Sequence, residues 1–249
     1  KVRGILNSRL GLKAKDLKVG HAGTLDPLAS GVLLVCTGKA TKQIDTLQAG
    51  TKEYIATLKL GATTPSFDRE TAEDTPFPTA HITRELVEAT LPKFLGRIEQ
   101  VPPRFSAVKV DGKRAFKLAR KGVEVELKPK ILVIDEIELL SCQLTPSDSA
   151  STPPVQPHAI NIKNLTPELI EQYQQENEQA SLQCPSITIR IVCSKGTYIR
   201  ALARDIGEAL HSGAHLIALR RTRVGTTTLS DCMTIEQFIH LLDLDIKFY

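Results

Sequence analysis

The alternation of apolar and polar positions changes period several times along the chain. Residues 52–62, KEYIATLKLGA, place Tyr54, Ala56, Leu58 and Leu60 two apart, the period of a strand with one buried face. ILVIDEIELLS (131–141), in a partly alternating pattern, SITIRIVCS (186–194) and LIALRRTRVG (216–225) predict three more strands, and 105–110 a fifth. GVLLVCTG (31–38) is a short apolar run bounded by glycines, which predicts a buried strand. From Tyr198 the period lengthens: Ile199, Leu202, Ala203, Ile206 and Leu210 share one face of a helix, with Gly213 as its stop. HITRELVEATLPKFLG predicts a helix capped by Thr83, with Leu86, Val87 and Leu91 on one face. Shorter helices are expected near Val2–Leu10, through Leu118 after a turn at Asp111–Gly112, and over 233–243. Strands and helices mix without regular βαβ alternation. The expected fold is therefore α/β (α+β), one domain over 1–249 with a mixed, largely antiparallel sheet flanked by helices.

One stretch breaks this pattern. Residues 143–185 are rich in Pro, Gln, Ser and Thr and lie between two predicted strands, so they read as a polar, mobile insertion. One helix is expected within it, capped by Thr166 with Pro167 at the first helical position.

Composition narrows the class. Apolar residues make up 41% and charged residues 24%, ordinary values for a globular protein, and no apolar run is long enough to cross a membrane. No signal peptide is visible, and the five cysteines form no C-x-x-C pair. Both suit a reducing, cytoplasmic setting, and the cysteine spacing argues against structural zinc. The absence of Trp argues against a large stacking platform for single-stranded nucleic acid. Charge is unevenly spread. Residues 1–48 and 109–130 each carry eight basic against three acidic residues, and 189–223 carry seven against two. Residues 131–186 carry one base, Lys163, against eight acids. An acidic segment thus masks a basic body. Single basic blocks are often only solvated faces, but three together favour a nucleic-acid partner.

Candidate chemistry begins at GHAGTLDP (20–27). An Asp before Pro can simply open a turn by accepting a main-chain hydrogen bond. Here Gly23 permits a sharp turn, Pro27 fixes the exit and a rigid strand is expected beyond, which suits a carboxylate aimed into a cleft. Such a carboxylate needs a cation to stay ionised. Arg200 lies in the first turn of its helix, where the dipole does not favour a cation, so a carboxylate partner would account for it; a surface arginine is the alternative. Tyr198 fits either the site or a half-buried core position. Tyr54 can pack a strand edge or stack on a base, and His21 can be a plain turn residue or a nucleic-acid contact. No nucleotide-binding glycine loop, serine-hydrolase elbow or zinc helix motif is present.

GHAGTLDPLASGVLLVCTGKATK, KEYIATLKLGATTPSFD, VPPRFSAVKVDGKRAFKLAR and CSKGTYIRALARDIGEAL…GAHLIALRRTRVG resemble, in this order, the TruB-type bacterial tRNA pseudouridine synthases. The resemblance covers nearly everything outside 143–185. It implies a pseudouridine-synthase-like fold and an isomerase acting on the uridine at position 55, in the T-arm stem-loop of tRNA, with no cofactor and no metal. It implies Asp26 as the catalytic aspartate, Tyr54 stacked on the target base, Arg200 paired with Asp26, and Tyr198 beside them. His21 would enter the space left by the flipped base, and Leu219 would line the pocket. A cytoplasmic monomer with tRNA as its partner and no membrane contact is expected. A non-catalytic RNA-binding module and an aspartate-dependent hydrolase are the competing classes. Three departures stand out. The family's opening strand with its Lys-Pro-x-Gly segment is absent, so the chain reads as N-terminally truncated. The 143–185 insertion lies outside the family pattern. Only a short tail follows Val224, so no full C-terminal RNA-binding domain is expected.

Overall fold

A computed structural model describes residues 2–11, 13, 16–110, 112–144 and 184–245. Five strands form its main sheet: β1 (Lys52–Leu60), β2 (Gly96–Gln100), β3 (Lys130–Gln143), β4 (Ser186–Cys193) and β5 (Ala214–Val224). Their spatial order is β5-β1-β4-β3-β2, and all neighbours run antiparallel. Two short strands flank β5: Thr227–Thr228 pairs antiparallel and Ser30–Gly31 pairs parallel, which makes the sheet mixed but largely antiparallel.

The alternation in β1 does what its period predicts. Ala56, Leu58 and Leu60 are fully buried and meet Ile187, Ile189 and Ile191 of β4 in one core. The helix Ile199–Ala209 covers this face with Ile199, Leu202, Ala203 and Ile206. Each buried Leu or Ile contributes about 1.5–3 kcal/mol of apolar transfer, so this face fixes where the helix lies. At Gly207 the approach is closest: an added Cβ would sit 2.4 Å from the main-chain nitrogen of Ala214. The helix backbone therefore rests directly on the start of β5. A second helix, Arg84–Thr90, buries Val87, and the Thr83 hydroxyl caps it by accepting the Leu86 N–H at 3.2 Å.

Several local expectations are corrected. The apolar run 31–38 is not one buried strand. Ser30–Gly31 joins β5, Val32 is buried outside any strand, and Val35–Thr37 forms a hairpin with Val19–His21 in which Val35 is exposed. Over 105–110 only Lys109–Val110 is strand, paired with Lys113–Arg114. Asp111 of the expected turn lies outside the described residues. The long helix does not end on Gly213. His211 takes the left-handed conformation (φ 53°), while a Cβ at Gly213 would collide with the Phe77 ring. A left-handed non-glycine residue costs about 1–2 kcal/mol. Here the turn also gains a hydrogen bond from the Ser212 N–H to the Gly207 carbonyl at 2.9 Å.

Gln143 and Ser186 pair across β3 and β4, so the segment between them joins neighbouring strands at one end of the sheet. The expectations for 145–183, including the helix at Thr166, lie outside the described residues.

Candidate active site

Asp26 sits in a loop suspended between two anchors. Before it, Val19–His21 pairs with Val35–Thr37; after it, Ser30–Gly31 docks on Arg220 and Arg221 of β5. Asp26 opens a turn whose Ala29 N–H returns to the Asp26 carbonyl at 3.0 Å, with Pro27 at the position its fixed φ favours. The main chain alone closes this turn. The Asp26 side chain is left for another partner.

That partner is Arg200. Its Nε donates to Asp26 Oδ2 at 2.9 Å and its Nη2 to Oδ1 at 3.1 Å, a two-pronged pairing. Arg200 is 5% exposed, whereas the Asp26 side chain is 36% exposed, so the carboxylate is held from the protein side and open on the other. The guanidinium is fixed further by the carbonyls of Ser66 and Phe105, at 3.3 and 3.2 Å. Burial alone would disfavour its charge. Asp26 and then Asp68 outweigh that and hold the guanidinium firmly protonated.

Asp68 is a site residue that the sequence did not disclose. It lies 3.4 Å from Arg200 Nε and is buried, and that burial pushes its carboxyl up against the opposing pull of Arg200. It sits in the polar stretch 64–78, where a buried aspartate has no local signature. Arg200 thus serves two carboxylates on the same cleft, one partly exposed and one mostly buried.

The cleft has a volume of about 450 Å³ and is lined by Asp26, Tyr54, Asp68, Tyr198, Arg200 and Leu219, among others. That volume lies within the range of small-molecule sites. Tyr54 comes from β1 and lies opposite Arg221 on the neighbouring β5, where Leu219 lies opposite Ala56. Its burial raises the hydroxyl pKa, and the positive charge of Arg221 opposes this. Tyr198 precedes the long helix and is clamped by Gln100, whose side chain accepts the Tyr198 N–H at 2.9 Å and donates to its carbonyl at 3.2 Å. Burial raises the Tyr198 hydroxyl pKa as well. His21 is placed apart from the other predicted residues, exposed on the hairpin five positions before Asp26 and outside the cleft lining. Lys52 and Arg221 also line the cleft; both are almost fully buried, and neither was anticipated.

The chain is similar to known proteins over most of its length. The family model described as TruB family pseudouridylate synthase (N terminal domain) matches residues 9–152, and the tRNA pseudouridylate synthase B C-terminal domain matches residues 200–244. The chain is 56% identical over 243 residues to a protein of Phocaeicola vulgatus named tRNA pseudouridine synthase B, covering 98% of this chain and 86% of that one. It is 58% identical over 242 residues to the protein of the same name from Bacteroides thetaiotaomicron, covering 97% and 85%. Among solved structures, a chain of a Cbf5-Nop10-Gar1 complex shares the fold with a TM-score of 0.57 and 24% identity. That match covers 96% of this chain and 49% of the other.

Proposed function

The chain belongs to the TruB family of pseudouridylate synthases, and we propose that it isomerises the uridine at position 55, in the T-arm of tRNA, to pseudouridine, with Asp26 as its catalytic residue. The observation that carries the role of Asp26 is its two-pronged pairing with a buried arginine at the wall of an open cleft.

The reaction breaks the bond between ribose C1′ and uracil N1, turns the base, and forms a bond from C1′ to C5, with loss of the C5 proton and gain of a proton at N1. A uridine in a folded loop cannot reach an enzyme carboxylate, so it must be everted. Asp26 then meets the sugar with its exposed edge. An ionised carboxylate there stabilises positive charge at C1′ as the bond to N1 breaks, and it can also add to that carbon. Arg200 holds both oxygens, which keeps the group aimed. Tyr54 offers a half-buried ring on which the freed uracil stacks, and Leu219 gives that base an apolar wall. His21, outside the cleft on the preceding strand, fills the gap that the everted nucleotide leaves. We read the protein as a cytoplasmic monomer: a tRNA substrate supports that compartment, and the groups assigned here need no second chain. No described helix is long and apolar enough to cross a membrane.

The test is to incubate the protein with an unmodified tRNA transcript and map pseudouridine by position. Conversion confined to the T-arm uridine is expected. No product, or product only at other positions, overturns this assignment.

A further inference from the structure

Arg221 lies in the C-terminal part of β5, at a buried position where a strand would ordinarily carry an apolar side chain. It is 2% exposed. A buried cation is costly unless its donors are met, and an apolar residue of similar size would avoid that cost. Its donors are met in a particular way. Nε donates to the Val32 carbonyl at 2.7 Å, Nη2 to the Gly23 carbonyl at 3.2 Å and Nη1 to the Thr24 carbonyl at 3.4 Å. These carbonyls lie on both sides of Asp26, two before it and one after.

The main chain of the same residue adds to the hold. Its carbonyl accepts the Val32 N–H at 2.8 Å, and Gly31 pairs with it in the parallel ladder. The approach at Gly31 is so close that a Cβ there would lie 2.1 Å from the Arg221 oxygen. Arg221 is also the direct cross-strand partner of Tyr54. One side chain therefore ties the loop that carries the carboxylate to the strand position opposite the stacking ring.

We propose that Arg221 is a positioning residue for pseudouridine formation: it clamps residues 23–24 and 32 so that the Asp26 carboxylate is presented in fixed register with the Tyr54 ring. This rests on the function proposed above. Arg200 fixes the carboxylate itself; Arg221 fixes the loop from which that carboxylate projects. Loss of the clamp lets the loop drift while Arg200 still holds the side chain, and a misplacement of about 1 Å at a reacting group lowers the rate by about 100-fold. Binding of the large RNA surface is not expected to depend on it.

The experiment compares wild type, Arg221→Gln and Arg221→Lys in single-turnover assays on an unmodified tRNA transcript. Kd for the same RNA, thermal melting and amide hydrogen exchange across residues 23–32 are measured in parallel. The expected result for Arg221→Gln is a rate about 100-fold lower, with Kd within about threefold of wild type and faster exchange at the Val32 amide. Arg221→Lys, which keeps the charge but cannot span three carbonyls, falls between the two. A folded Arg221→Gln protein with wild-type turnover, or one that loses binding as much as turnover, overturns the proposal. Unfolding of both variants assigns Arg221 to the fold alone and also ends it. If the wild type forms no pseudouridine, the functional reading fails. The exchange measurement still decides the clamp, and unchanged exchange refutes it.

Discussion

Arg200 and Asp26 stand 174 positions apart in sequence, yet they meet through two parallel hydrogen bonds of 2.9 and 3.1 Å. The helix that delivers Arg200 is set by its apolar face, and the loop that delivers Asp26 by its docking on β5. Each element has anchors of its own besides the ion pair. The pair is thus a product of the fold and available for chemistry.

Replacing Asp26 by Asn keeps its shape and removes its charge. Because the side chain is not used to close its own turn, the loop is expected to stay in place. Turnover on tRNA falls by at least about 10³-fold, as for loss of a central catalytic group, with Kd for tRNA nearly unchanged. Equal losses in rate and affinity, measured by single-turnover assay and filter binding, contradict the role given to Asp26.

Arg200→Lys retains a positive charge but not the planar fork. It can satisfy one Asp26 oxygen at a time and leaves the Ser66 or Phe105 carbonyl without its donor. A rate loss of about 100-fold is expected from misplacement of the carboxylate. Turnover close to wild type shows that charge alone suffices.

Asp68→Asn tests the hidden second carboxylate. It relieves a buried negative charge and weakens the hold on Arg200 from one side. The expected outcome is a rate loss smaller than that of Asp26→Asn, about tenfold, with the protein still folded by circular dichroism. A loss as large as that of Asp26→Asn assigns Asp68 a direct part in the reaction.

Alkaline stability provides a test away from the chemistry. Burial pushes the Cys193 thiol up to about 11 from an ordinary value of 9.0. The unfolded chain therefore releases this proton at a lower pH than the folded one does. The resulting stabilisation is fully present below pH 9 and is lost as the pH rises to about 11, amounting to roughly 3 kcal/mol. Lys52 is shifted down by its own burial and acts in the opposite sense, so the wild-type slope alone does not isolate the thiol. Urea unfolding of wild type and Cys193→Ala at pH 8, 9, 10 and 11 does. The stability difference between them changes across that window; a constant difference refutes the assignment.

The sequence disclosed the parts of the site that carry a local signal. The period of β1 placed Tyr54 on a strand, the helix face placed Arg200 in a first turn, and the Gly-Thr-Leu-Asp-Pro spacing marked Asp26. Asp68, Lys52 and Arg221 were not legible. Each is a polar residue made important by burial, and burial at these positions is decided by long-range packing. Asp68 looks like any acid in a polar loop, and Arg221 like one of three arginines on a strand edge. The apolar run at 31–38 misled for a related reason. Its length and flanking glycines fit a strand, but the chain leaves one sheet partner for another within it, which buries Val32 and exposes Val35.

The seat of the long helix at Gly207 fixes more than a packing distance. Arg200 lies seven residues away along the same rigid rod, about 10 Å at the helical rise. The bare backbone at Gly207 acts as a pivot and the guanidinium as the tip of a lever. A methyl group at the pivot would tilt the rod, and the tip would sweep off its carboxylate although no atom of the cleft had changed.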